Sequence, residues 1–472
     1  MASTDEIIER SRMAAALFRK LDQKRTDAIV RAVYLQAMDN RVRLAKMAAD
    51  ETGLGIWRDK VIKNVIGSQL VYEHIKNQKT VGVISEDPLS GIIEIARPIG
   101  PVLALVPVIN PTSTAFFKML ITMKTRNPVI ISPTAAAKYC VGEACRLGYE
   151  AALGAGAPEH AIQWLAKPNL PKTKELMSHH GLALILATGT GDMVKASYSS
   201  GTPTIGVGAG NVPVYIGQTA DIPFAVRSIL SSKIFDNGSI CASEQAIVVK
   251  RTVAEAVIAE FKKQKGYFMS PEETEKVGHI AYDRESKVMA ARVVGQSVNR
   301  IAEMAGIAVP KGTSVLIAEL TRVSRDQPLS AEILAPILAF YVEDNFEAGI
   351  ERCAEIARFG GVGHTAVIYS NNPERIEYFA NAIDVARILV NTPSTQGALG
   401  GMVTTLAPSF TLSCGSGGKN STTDNISTRN LLNIHRICRR RVNERWLDMD
   451  HAKYADESLT GEDIEKEFNK NA

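Results

Sequence analysis

The chain has 472 residues, enough for two or three domains rather than a single core. Its 54 basic and 50 acidic residues leave a net charge of +4 spread along the sequence, with no basic stripe that would point to nucleic acid. At 45% apolar and 22% charged residues the composition is that of an ordinary globular protein and excludes extended disorder.

The start, "MASTDEIIERSRM", has no apolar run behind a basic segment, and stretches such as "VLALVPVI" fall far short of a bilayer span. A cytoplasmic protein with no membrane partner is expected. From Thr4 to about Gln78 apolar residues recur at helical spacing, as at Leu17 and Leu21, then Ile29 and Val33. After Thr80 the runs "TVGVIS" and "GIIEIARPIG" flank the turn-forming "EDPLS", which predicts a β-hairpin, an exposed arm over about 79–98.

From Val102 short apolar runs alternate with helical segments: "VLALVP", a helix around 113–125, "PVIIS", a helix around 134–154, "LALILATG", a helix around 191–200, then "VPVYIG". A second series follows with "AIVVK", "SVLIAEL", "PILAFYV", "TAVIYS" and "RILVN". Such alternation predicts an α/β fold of βαβ units with parallel sheets covered on both faces. Two α/β domains meeting near residue 218 are expected. The segment after Asn443 is charge-rich and is expected to pack loosely.

The chemistry lies between the elements. "LILATGTGDMV" sets Thr188, Gly189 and Gly191 after a strand and before a helix, where backbone amides can face a phosphate. "GVGAGNVP" adds Gly206, Gly208 and Gly210 ahead of another strand. Each loop alone also reads as a tight turn; together they point to a dinucleotide site of unusual pattern. No G-K-[ST] ending follows either loop, and neither H-E-x-x-H nor G-x-S-x-G occurs. The six cysteines (140, 145, 241, 353, 414 and 438) form no C-x-x-C pair, so neither a disulfide framework nor a metal site is predicted. Cys140 and Cys145 read as packing residues. Cys241, in the small-residue loop "FDNGSICASEQ" at the mouth of a strand, is either a nucleophile or an inert thiol on texture alone.

That loop, with "VINPTSTAFFKMLITMKTRNPVIISP", "KASYSSGTPTIGVGAGNVPV", "GVGHTAVIYS", "RILVNTPSTQG" and "TLSCGSGGKNS", resembles the coenzyme A-acylating aldehyde dehydrogenases, in particular the aldehyde dehydrogenase half of bifunctional aldehyde-alcohol dehydrogenases. The likeness runs from about residue 5 to 440, without the iron-dependent alcohol dehydrogenase half. It implies the aldehyde dehydrogenase fold: a cofactor domain over 1–218, a catalytic domain over 219–404, and a return to the arm and cofactor domain with a charged tail over 405–472. It also implies roles. Cys241 would be the nucleophile, Asn110 an oxyanion donor beside the Cys241 N–H, and His364 a base for coenzyme A. Glu332 would hold the nicotinamide ribose, and Ser132 would stand where relatives place a lysine near the adenosine ribose. NAD or NADP would be the cofactor, a small aldehyde and coenzyme A the substrates, and a homodimer or homotetramer the assembly.

Departures from the family pattern matter equally. Where hydrolytic members carry a water-activating glutamate, the aligned residue is Val207. Gly417 replaces an expected tryptophan, and "MVTTLAPSF" replaces a more apolar stretch. Thr404, Thr405 and Lys419 would then favour a polar or anionic aldehyde such as sulfoacetaldehyde or succinate semialdehyde. The rival functions are a hydrolytic aldehyde dehydrogenase, against which Val207 argues, and a structural homologue in a filament or microcompartment, against which Cys241 and Asn110 argue.

Overall fold

The computed structural model describes residues 2–283, 285 and 288–470. The described residues divide into two compact units, one of residues 2–78 and 98–432, the other of residues 79–97 and 433–470.

The larger unit contains two parallel sheets. The first comprises β3 (Val102–Val106), β4 (Val129–Pro133), β5 (Ile162–Trp164), β6 (Leu184–Ala187) and β7 (Thr204–Gly206), in the order β5-β4-β3-β6-β7. The second comprises β8 (Val212–Ile216), β9 (Glu244–Lys250), β10 (Gly266–Phe268), β13 (Val315–Glu319), β14 (Ile337–Glu343), β15 (Gly363–Tyr369) and β16 (Val385–Val390), in the order β10-β13-β14-β9-β8-β15-β16. The short ribbon β11 (Tyr282–Asp283) and β12 (Val288–Met289) lies between β10 and β13 in the chain.

Successive residues of β3 point to opposite faces as the pleat requires, and all of them are buried. Val102, Ala104 and Val106 enter a core that also takes in Val214, Ile247 and Leu338 of the second sheet. Leu103 and Leu105 enter another, with Ile7, Ile8 and Leu176. Residues on both faces are apolar because helices cover both faces. Sequence periodicity placed 212–216 in the first series, but this strand pairs with β9 and β15 of the second. A run of fully buried residues carries no mark of which sheet it joins, so the two sheets divide across residues 207–211 rather than near 218.

The helical start is as expected, with one irregularity. Between the helices Trp57–Val65 and Val71–Ile75 the backbone widens to a π-turn over Ile66–Leu70. Gly67 lies there, and a Cβ on it would stand 2.5 Å from the Ser113 carbonyl. This close approach seats the helix Pro111–Lys124, whose N-cap is Asn110. Within that helix Lys118 is fully buried, and its Nζ donates to Leu105 O (2.5 Å) and Leu186 O (2.8 Å), clasping the neighbouring strands β3 and β6.

In the smaller unit the expected hairpin forms from β1 (Gly82–Asp87) and β2 (Ile92–Pro98), antiparallel around a turn in which Gly91 takes φ +71°. A third strand, β17 (Leu432–Cys438), joins at β2. The tail after Asn443 forms short exposed helices, Glu444–Asp448 and Gly461–Phe468, with no buried residue in either.

Asn127 secures the points where the chain leaves the larger unit. Fully buried, it accepts from Ile99 N (2.8 Å) and Gly100 N (3.0 Å) and donates to Leu431 O (2.8 Å). Asn127→Ala orphans two amides and a carbonyl at once. It is expected to lower the unfolding free energy by about 2–4 kcal/mol in denaturant titration, and a change below about 0.5 kcal/mol would show that water replaces the amide without loss.

Candidate active site

Two sheet edges supply the predicted site residues. The first sheet contributes its carboxyl edge: Asn110 after β3, Ser132 within β4, Thr188, Gly189 and Gly191 after β6, and Gly208 after β7. This is where ligands sit in open parallel sheets, and β3 and β6 flank the point where strand order reverses. The second sheet contributes its amino edge: Cys241 ahead of β9, Glu332 ahead of β14 and His364 at the start of β15.

The Cys241 loop is built on an unusual turn. After the helix Ile222–Lys233, Asp236, Asn237 and Gly238 follow one another with φ of 50°, 53° and 72°. Asp and Asn tolerate the left-handed region better than most residues because their short side chains bond locally. Here Asp236 does so while buried: its carboxylate accepts from Ile56 N (2.6 Å), Ser239 Oγ (2.8 Å), Lys60 Nζ (2.9 Å) and Lys63 Nζ. The turn delivers a half-buried Cys241. Its carbonyl lies against Gly210, where a Cβ would come within 1.9 Å of it. Only glycine permits that approach.

His364 Nε2 lies 3.3 Å from Cys241 Sγ. The ring is fully buried, and burial followed by the nearby Arg387 charge holds it well below the ordinary histidine range, so it is neutral. Its Nδ1 pairs with Thr365 Oγ1 at 3.0 Å, and that oxygen accepts from Arg387 Nε at 3.3 Å. Arg387 is buried yet has no carboxylate partner among the described residues. Its remaining donors go to the carbonyls of Leu412, Ser413 and Thr423 and to Asn425 Oδ1, at 2.9–3.3 Å. Cys414, from the same segment, accepts from Gly208 N at 3.3 Å.

Glu332 accepts from Gly210 N at 3.3 Å, and burial pushes its carboxyl up to about 8. Burial likewise brings Lys233 down to about 7 and Glu244 up to about 7, although the lysine charge opposes the rise of both carboxyls. The Cys241 thiol is pushed up to about 12, first by burial, then by Glu332 and Cys414. It rests as a thiol, and the neutral imidazole beside it is the available proton acceptor.

Asn110 is buried and its side chain makes no hydrogen bond to another described residue, with Oδ1 left without a partner. No hydrogen bond joins it to Cys241. Ser132 Oγ is shared with Thr173 Oγ1 at 3.1 Å, and Thr188 Oγ1 with Thr411 Oγ1 at 2.8 Å. Gly189 and Gly191 open the helix Gly191–Tyr198, whose N-cap Thr190 makes no side-chain cap bond, and a Cβ on Gly191 would meet nothing within 4 Å. Uncapped first-turn amides beside an open glycine surface suit a pyrophosphate, and Glu332, holding a single amide donor, suits a ribose diol. These residues fit a nicotinamide dinucleotide. Arg387, Thr365, Lys60, Lys63 and Asp236 escaped sequence reasoning; a lone arginine in the run "VARILV" and lysines at i, i+3 in "DKVIKN" were the only signals.

Two parallel sheets, with a thiol–imidazole pair at the amino edge of the second, define an α/β fold with a candidate cysteine site. Residues 1–404 match the aldehyde dehydrogenase family, and the chain belongs to it. Bifunctional aldehyde-alcohol dehydrogenase AdhE of Escherichia coli is 44% identical over 96% of this chain and 51% of its own length. The chain thus spans about half the length of that curated relative. Succinate-semialdehyde dehydrogenase (acetylating) of Clostridium kluyveri is 34% identical over 92% of this chain and 95% of its own. The crystal structure of an acetylating aldehyde dehydrogenase from Geobacillus thermoglucosidasius superimposes with TM-score 0.91 at 42% identity, covering 93% of this chain and 97% of that one. The chain is homologous to these acetylating enzymes.

A thiol pushed up to about 12 has a thiolate fraction that grows tenfold per pH unit anywhere below that value. Iodoacetamide alkylation of Cys241, followed by peptide mass spectrometry with the exposed Cys438 quantified in the same digest, is expected to accelerate about tenfold per unit between pH 7 and 9.5 without levelling. A plateau near pH 8 would reveal a thiolate stabilised in the free protein.

Proposed function

We propose that this chain oxidises a small aldehyde to its acyl-coenzyme A thioester, reversibly, with NAD or NADP and through a thioester on Cys241. The observation that carries the proposal is the Cys241–His364 pair at 3.3 Å, in a chain whose Val207 aligns with the carboxylate that the resemblance gives hydrolytic relatives. Val207 is buried in the core, its amide bonded to Ala187 O. Glu332 is no substitute as a water-activating base: a carboxyl pushed up to about 8 is mostly protonated at neutral pH.

The residues divide the work as follows. His364 takes the thiol proton as Cys241 Sγ adds to the aldehyde carbon. The negative charge that develops on the carbonyl oxygen is met by Asn110 Nδ2 and the Cys241 N–H. Glu332, Gly208 and the Thr188–Gly191 loop would hold a nicotinamide dinucleotide, which when bound would supply the hydride acceptor. Loss of hydride leaves the acyl group as a thioester on Cys241. His364 gives that first proton to solvent and then takes the coenzyme A proton; the new thiolate attacks the thioester carbon, and Cys241 leaves as thiolate and regains a proton from His364.

An acetaldehyde-like substrate is favoured over an anionic one. Thr404 Oγ1 is spent on Gly397 O (2.7 Å), and at Gly417 a side chain would strike Val362 and Asp384 at 2.8 and 2.9 Å. That leaves Thr405 and Lys419, both exposed, to attract a negative charge. The succinate-semialdehyde relative keeps the anionic class as the comparison to assay. The three-stranded arm carries exposed Val83, Leu89 and Ile437, a surface suited to a second copy in a homodimer or homotetramer. No described helix is long and apolar enough to cross a membrane, and the cytoplasm is the proposed location.

Without coenzyme A, mixing protein, aldehyde and NAD or NADP should release about one equivalent of reduced cofactor per site in a burst, followed by a slow phase. Added coenzyme A should restore steady turnover, and Cys241→Ala should abolish the burst. Steady multiple turnover without coenzyme A, as fast as with it, would assign the acyl group to water instead.

A further inference from the structure

Lys60 and Lys63 project from one face of the helix Trp57–Val65, at i and i+3. Both are buried, at 2% and 1% exposure, which lysine tolerates only when paired. Both ammonium groups meet Asp236 Oδ2. Asp59, which accepts from Asp236 N at 2.8 Å, brings a second carboxylate to the cluster.

Each lysine also holds backbone. Lys63 Nζ donates to Ser239 O (3.1 Å) and Ser239 Oγ (3.0 Å), two residues ahead of Cys241. Lys60 Nζ donates to Ile109 O (3.3 Å), one residue ahead of Asn110. From the next turn of the same helix, Asn64 Oδ1 accepts from Thr112 Oγ1 at 2.7 Å. The helix thus grips both segments on which the developing oxyanion depends, and Lys60 alone bridges them.

Burying this many charges is a poor route to stability, since an apolar cluster of similar volume usually does as well or better. What charges add is direction. An oxyanion site needs its two donors within hydrogen-bond distance of one point. Here one donor is a side chain that no protein group restrains, and the other is an amide at the end of a left-handed turn.

We propose that Lys60 is a positioning residue: its ammonium, shared between the Ile109 carbonyl and Asp236, sets the spacing of Asn110 and the Cys241 amide around the substrate oxygen. The proposal rests on the aldehyde-oxidising role given above to Cys241 and Asn110.

The test is a double-mutant cycle of Lys60→Met with Asn110→Ala, read from the rate of the first hydride transfer. That step needs no coenzyme A, so the result is independent of whether coenzyme A or water accepts the acyl group. A protein with no aldehyde-dependent burst at all would refute the proposed function itself, separately from Lys60. Lys60→Met is expected to slow the burst about 10- to 100-fold while the KM for cofactor changes less than about 3-fold. In the Asn110→Ala background the same substitution should cost less than about 3-fold, because the donor it positions is gone. Lys60→Gln, which restores a donor toward Ile109, should recover part of the rate. Losses that multiply across the cycle, or a Lys60→Met protein as fast as the parent, would overturn the proposal. Should Lys60→Met fail to fold, Lys60→Arg enters the same cycle: it keeps the charge, but its planar fork cannot meet both acceptors as a point ammonium does.

Discussion

The contact between Gly210 and the Cys241 carbonyl governs this site. The link from β7 to β8 spans only residues 207–211, so the carboxyl edge of one sheet runs directly into the amino edge of the next. The backbone of that link must then pass the Cys241 loop so closely that a Cβ at 210 would stand 1.9 Å from the Cys241 oxygen. The same turn presents Gly210 N to Glu332 and Gly208 N to Cys414. Three segments distant in sequence are registered against one stretch of glycine-rich backbone, and without that registration the thiol would have no fixed relation to the first sheet.

Electrostatics refine what this geometry sets. Lys60 and Lys63 pair with Asp236, while Lys233, brought down by burial, donates to the Ile333 carbonyl near Glu244 and Glu332, whose carboxyls burial pushes up. Arg387 spends its positive charge on carbonyl oxygens, one amide oxygen and the Thr365 hydroxyl. Its charge helps to keep His364 neutral. The imidazole beside Cys241 is therefore free to accept a proton.

Much of this was legible in the sequence, for definite reasons. The βαβ alternation, the hairpin and the Cys241 loop are local patterns, and local patterns survive into the fold. The strand 212–216 was assigned to the wrong series because full burial on both faces erases the side-chain rhythm that would reveal its partners. Ser132 and Thr188 were found, but their hydroxyls are engaged with Thr173 and Thr411, contacts across more than forty residues that no motif announces. The buried lysines and Arg387 were invisible for a different reason. Charged residues read as surface by default, and only the structure shows that each is answered from a remote segment.

On the proposed function, the choice of acyl acceptor would follow from proton affinity. His364 is a weak base, held below the ordinary histidine range by burial and by Arg387. A thiol gives up its proton near pKa 8.5, bulk water near 15.7. The gap of about 7 units is worth about 10 kcal/mol, more than a single imidazole supplies without a carboxylate to share the load. With Val207 an apolar core residue, the proposed reaction favours a second nucleophile that carries an acidic proton of its own, as a thiol cosubstrate does.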